Sequence, residues 1–386
     1  MPSFKDFYDR FTATHADPEV RRLTASVGIL DFAVASISLF EPIYLTTLGL
    51  TLPHVLLFYA LVYLLYFFLL PLGARLSGRW GFHHAILYSS PFLIAYYLLL
   101  LAAKGDAWFL LLAAPVYALQ KTLYWPSFHQ ELAKFGHDEE RGREISNLAS
   151  VSFLGAILGP VFGGVMISAA GFAPLFSVVG VLILASNIPL MSLPDRRTRD
   201  GFGYLPALKR VFEPERRRDA LSRFGYGEEL IGLVVWPVFI FTALKGYAET
   251  GLLVSASLLV TMISILYIGR LADLQSRHAL LRSGTFFTAA AWVARMFVAS
   301  PLGVLGADVF HRVSRALLGI PYISITYADA KKRGLLESVI FFEMALALGK
   351  AGAALLGAAV LWLVPGGFAA VFALAAAFTL LYARIP

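Results

Sequence analysis

The feature that most constrains this chain is a succession of apolar runs, each about 20 residues long and separated by short polar links. A helix needs about 20 residues to cross roughly 30 Å of hydrocarbon. Twelve such segments lie between residues 23 and 384. In lipid every backbone polar group must be bonded within its own segment, so a run of this kind is helical. The expected fold class is therefore an all-α membrane protein with twelve transmembrane helices. Composition agrees: 58% of the residues are hydrophobic and 15% charged, whereas soluble domains are nearer half apolar and a quarter charged.

Several function classes fall away. The net charge of +7 belongs to the loops of a membrane protein, so no nucleic-acid partner is expected. The absence of cysteine excludes disulfides and thiolate metal sites, and no metal or cofactor is expected. The opening "MPSFKDFYDRF" is polar and aromatic and does not read as a cleavable signal. Its Phe4, Phe7, Tyr8 and Phe11 recur at helical spacing, as in a short helix lying in the membrane interface. No nucleotide loop, nucleophile elbow or metal-ligand cluster points to an enzyme.

The links set domains and orientation. Residues 1–22 form the N-terminal amphipathic segment, 23–193 a six-helix bundle, 194–222 a basic linker and 223–386 a second six-helix bundle. Alternate links carry 25 of the 32 Lys and Arg residues on one side, against Lys104 and Lys245 on the other. By the positive-inside rule the chain is integral to the inner (cytoplasmic) membrane with both termini cytoplasmic.

The two halves align with each other. "FEPIYL" around Pro42 matches "VWPVFI" around Pro237, and "LYWPSF" around Pro126 matches "LGIPYI" around Pro321, both at an offset of 195. At the same offset the stretch "GRLADLQSRHA" from Gly269 answers "ARLSGRWGFHH" from Ala74. Two pseudo-symmetric six-helix repeats are the signature of a secondary transporter. The four prolines lie within segments 1, 4, 7 and 10, and are expected to bend them.

These landmarks resemble the major facilitator superfamily. Its link signature is Gly-x-Leu-Ala-Asp-Arg-x-Gly-Arg-Lys. Gly269, Leu271, Ala272, Asp273 and Arg277 match it, His278 takes the final basic position, and Leu274 and Ser276 depart. In the first half Leu76, Arg79 and Gly81 match, while Gly78 replaces the aspartate. The resemblance implies a conformational latch with Asp273 placed at the start of a helix. A second element, "GAILGPVFGG" with Gly155, Gly159, Pro160, Gly163 and Gly164, is similar to one found in the family's proton-coupled antiporters. The family's arginine of helix 4 is not evident; Lys121 is the nearest cation.

Ionisable groups inside the apolar segments are costly and mark pathways. Asp308, Arg312 and Arg315 share one face of segment 10 at i, i+4 and i+7. Asp308 and Arg312 can pair, which leaves Arg315 in need of an anion, either a carboxylate from another helix or the substrate. Asp31, roughly 13 Å into segment 1 at 1.5 Å per residue, is the first candidate to carry a proton. Glu343 and Glu229 are second candidates, and Glu41 and His311 lie at comparable positions. Gln120, Tyr124 and Trp125 on segment 4, and Trp236 on segment 7, offer hydrogen bonds and aromatic walls. Arg295 and Lys350 read as structural.

The expected machine rocks its halves about a central cavity walled by segments 1, 4, 7 and 10. It works as a monomer on a small-molecule substrate, driven by a proton or ion gradient rather than a cofactor. Proton-coupled export of a small organic molecule is the leading reading. An organic or inorganic anion symporter or facilitator is the alternative, motivated by Lys121, Arg312 and Arg315. A lipid flippase or a non-transporting sensor is a third.

Overall fold

The structure, a computed structural model, describes residues 18–134, 141–192, 203–274 and 276–385. The N-terminal half contains α1 (Pro18–Ser38), α2 (Glu41–Thr47), α3 (Leu52–Trp80), α4 (Phe82–Ala102), α5 (Trp108–Lys134), α6 (Arg141–Ala170) and α7 (Phe172–Asn187). Two short helices follow, α8 (Tyr204–Val211) and α9 (Arg217–Phe224). The C-terminal half contains α10 (Gly227–Leu244), α11 (Tyr247–Leu274), α12 (Arg277–Arg295), α13 (Pro301–Arg333), α14 (Leu335–Leu363) and α15 (Phe368–Leu380). Counting α1 with α2 as one broken span gives twelve spans, six on each side of the linker. The chain is an all-α membrane protein.

Eight candidate spans are long and apolar enough to cross a membrane by length and composition. The other four are informative. The last, Phe368–Arg384, is shorter. Helices α5, α12 and α13 carry Lys121, Arg295 and the Asp308–Arg312–Arg315 group in their interiors, and these charges lower their hydropathy. The chain gives up hydrophobicity where it places ionisable groups.

Local signals set the ends. Ser276 caps α12 by accepting the Ala279 amide at 3.2 Å, and Ser300 caps α13 by accepting the Gly303 amide at 3.1 Å. Gly81 and Gly334 each turn the chain between two helices at φ of 93° and 97°, a region open to glycine without strain.

Two seams join the halves, α3 against α14 and α6 against α11. The repeat predicts this pairing, because the pseudo-twofold that takes segment 2 to segment 8 takes segment 11 to segment 5. At the end away from the linker the seams are tight. A Cβ on Gly164 would meet the Tyr247 carbonyl, and one on Gly251 would meet the Pro160 carbonyl. Tyr247 also packs its ring on Phe40 and Phe172 at 6.3 and 5.4 Å, and His54 meets Trp362 at 6.1 Å.

Some expectations change. Pro42 does not bend a continuous helix: the first span breaks at Leu39–Phe40, and Pro42 sits in the first turn of α2, where its missing N–H costs nothing. Pro126, Pro237 and Pro321 do lie inside helices. The linker contains helices α8 and α9 rather than an open strand of chain. Gly269 to Asp273 form the last turns of α11, so Asp273 stands at a helix end and not at a helix start; its side chain lies outside the described residues, as do Gln275 and the segment 1–17. Arg277 opens α12 and is exposed, and Arg79 is exposed near the end of α3.

Candidate functional site

Between the halves lies a cavity of about 410 Å³. It extends from Ala330 and Ser338, close to the linker-side ends of α13 and α14, to Tyr63 and Lys350 near mid-helix. Its walls come from α3, α5, α10, α13 and α14. The expectation of segments 1, 4, 7 and 10 is corrected here: among the lining residues segment 1 contributes none, and α3 and α14 take its place. The physical reason is the seam. Where α3 and α14 cross they form both the joint and the cavity wall. Trp125, Phe128, Tyr226, Tyr327 and Phe342 make the surface largely aromatic, the usual character of a pocket for organic molecules.

Glu343 of α14 is buried at 4% exposure and ties the two halves together. It accepts a hydrogen bond from the Tyr66 hydroxyl of α3 at 2.9 Å, and its other oxygen lies 3.1 Å from His129 Nε2 of α5. His129 Nδ1 is 2.8 Å from the Tyr327 hydroxyl of α13. One carboxylate, one imidazole and two phenols thus form a chain across the cavity.

A second cavity, of about 350 Å³, is lined by Phe153 of α6 and by residues of α10, α11, α12 and α13; Glu229 and Leu233 border both cavities. It exposes a dense charge network. Asp308 accepts from Arg312 Nε at 2.7 Å, Arg295 Nη2 at 3.0 Å and Trp236 Nε1 at 2.8 Å. Glu228, fully buried, accepts from Arg315 Nε at 2.7 Å and Trp292 Nε1 at 2.9 Å, with His311 Nε2 at 3.4 Å. Arg295 is sandwiched, its guanidinium 4.0 Å from the Trp236 ring and 4.3 Å from the Trp292 ring. Each indole therefore stacks on a cation and donates to a carboxylate. The anion Arg315 needs is a carboxylate from another helix, Glu228, with Glu229 at 3.8 Å. Glu229 also meets Lys350 Nζ at 3.3 Å.

The N-terminal half buries two more charges. Glu41 accepts from Tyr59 at 2.5 Å and Tyr96 at 2.7 Å, and Tyr96 stacks on Tyr117 at 4.1 Å. Lys121 lines the first cavity at 9% exposure, with Nζ over Tyr117 at 4.3 Å and Tyr63 at 5.5 Å. An ammonium at mid-membrane costs about 2.5–3.5 kcal/mol on insertion scales, and a ring face returns about 0.5–2 kcal/mol. Beyond the rings, Lys121 is compensated by the charge of Glu41 at longer range and not by a contact ion pair.

The remaining candidates divide. Trp125 lines the first cavity; Gln120 and Tyr124 are buried beside it, and Tyr124 stacks on Phe128 at 5.7 Å. Asp31 hydrogen-bonds Ser152 of α6 and is among the lining residues of neither cavity. The glycines of α6 serve packing. Cβ atoms on Gly155, Gly159 and Gly163 would strike the backbone or side chains of Phe32, Ala35 and Ser36 on α1, while Gly164 faces Tyr247 across the seam. Tyr66, Trp292 and Tyr382, whose hydroxyl accepts from Arg315 Nη2 at 3.1 Å, escape a reading of sequence alone. Tyrosines spaced along the apolar α3 were the available signal, since a buried phenol seeks a polar partner.

Comparison with known proteins follows this geometry. A Major Facilitator Superfamily model matches residues 22–218, just over half of the chain, and the chain belongs to that family of membrane transporters. A relative, the "Multi-drug resistance efflux pump PmrA homolog" of Lactococcus lactis subsp. lactis (strain IL1403), is 25% identical over 259 residues. That match covers 61% of this chain and 61% of the relative.

Proposed function

We propose that this transporter exports small amphipathic organic molecules in exchange for protons, by alternating access. The observation that carries the reading is Glu343. It lines the aromatic cavity and bonds to Tyr66 and His129 of the opposite half. A carboxylate in that place has two jobs that exclude each other. Ionised, it holds the halves together; protonated, it loses its charge-assisted bond to His129 and releases them. Proton occupancy and rocking are thereby coupled. The relative's printed role as a multidrug efflux pump supports the direction of transport. The basic linker, by the positive-inside rule, supports a cytoplasmic position for the linker side of the cavity and for both termini. The chain works as a monomer, powered by the proton gradient.

The test is transport by purified protein in proteoliposomes under an imposed pH gradient. Glu343→Gln should abolish gradient-driven movement while leaving substrate exchange at equilibrium in place. Asp31→Asn is the comparison. Unchanged proton movement in Glu343→Gln, with loss in Asp31→Asn, would transfer the coupling role to Asp31.

A further inference from the structure

Among the described residues the buried Arg and Lys side chains touch carboxylates, with one exception. Arg295 and Arg312 hold Asp308, Arg315 holds Glu228, and Lys350 holds Glu229. The arginines that suggest an anion site in the sequence are thus already paired inside the protein, with Asp308 shared between Arg295 and Arg312. Lys121 is not. Among the described residues no carboxylate oxygen lies within the 4.0 Å of an ion pair with its Nζ. Glu41, whose charge acts on Lys121 at longer range, has its Oε1 occupied by Tyr59 and Tyr96.

Position adds to this. Lys121 is more than nine-tenths buried, yet it lines the cavity between the halves. Its Nζ lies over the faces of Tyr117 and Tyr63, and rings attract a cation without supplying an acceptor for its three N–H groups; the charge of Glu41 reaches it from beyond contact distance. Lys350 approaches the same Tyr63 ring at 5.3 Å from the other half, so a second positive group stands nearby. Around these groups Trp125, Phe128, Tyr226 and Phe342 offer flat apolar contact.

We infer that the transported molecule is an aromatic organic anion whose carboxylate or equivalent acid group pairs with Lys121 while its ring system lies on the aromatic wall. This rests on the export reading above and names its substrate class. The pairing is favourable because the ammonium is already out of water. The protein has met the cost of burying it, and the substrate supplies the missing charge and acceptors. A substrate cation would bring a like charge to the same place.

The experiment compares three probes with one ring system: naphthoate, naphthamide and naphthylmethylammonium. Binding to purified protein and counterflow in proteoliposomes are measured for wild type, Lys121→Met and Lys121→Arg. Wild type should prefer naphthoate to naphthamide by about tenfold or more, as expected for a charge pair formed out of water. Lys121→Met should bind naphthoate no better than naphthamide, with a wild-type melting temperature showing that it is folded. Lys121→Arg should keep most of the preference. Should Lys121→Met prove unstable in a melting assay, the Lys121→Arg and wild-type preferences decide the matter. A wild-type preference for naphthylmethylammonium or naphthamide, or an anion preference unchanged in Lys121→Met, overturns the inference while leaving export standing. Failure to bind or carry any of the three overturns both.

Discussion

Asp308 is the shared counter-charge of two guanidinium groups. Replacing it by Asn would leave Arg295 and Arg312 facing each other at the edge of a cavity without a counter-charge, and Trp236 with a weaker acceptor. Breaking a buried pair in this way costs about 3–5 kcal/mol. Asp308→Asn should therefore lower the melting temperature in detergent sharply, and adding Arg295→Met should recover part of the loss. An unchanged melting temperature in the single variant would contradict the network. The residue scale also marks the limit of sequence reading. Asp308 and Arg312 lie one turn apart, so their pairing was legible. Arg315 with Glu228, or Glu343 with Tyr66, are separated by 87 and 277 residues, and nothing local announces them.

At the scale of elements, the glycine row of α6 has two functions that the sequence motif merges. Gly155, Gly159 and Gly163 seat α6 on α1 within one half, and Gly164 seats it on α11 in the other. Gly163→Ala forces a methyl group onto the Ser36 carbonyl and should destabilise the N-terminal half by about 1–3 kcal/mol, the range for overpacking. Unfolding of the purified protein measures this; a variant as stable as wild type would show that α1 and α6 can part freely. The number of spans was readable because length follows from the bilayer, while their ends were not, as the helices running on to Trp80 and Arg333 show. The break at Leu39–Phe40 was not readable, since proline signals both bends and helix starts. The cavity walls were misassigned for a related reason: apolar period finds a helix but not the face it turns to a partner.

In the whole molecule the cavity lies toward the linker side and the seam at the opposite end is tight. Gly164→Val should loosen that seam and raise the population open at the far end. The chain contains no cysteine, so a single one introduced at Ile323 in the cavity wall reports access without background. In oriented vesicles Gly164→Val should speed its alkylation from the side away from the linker and slow it from the linker side. Equal rates in both backgrounds would place the gate elsewhere. The linker helices bear on the same motion. α8 packs on both α3 and α14, Tyr204 bonds the Phe68 carbonyl, and Arg210 pairs with Glu337 at 2.8 Å.

The two closures differ in kind. At the far end the described residues meet through rings, glycines and carbonyls, with no ion pair across the seam. Near the linker the halves meet through a carboxylate and an imidazole. The first joint is a matter of ring and backbone packing, the His54 ring included; the second rests on a hydrogen bond between polar side chains. A change in side-chain volume therefore bears on one joint and a change in charge on the other, so the two ends can be loosened independently.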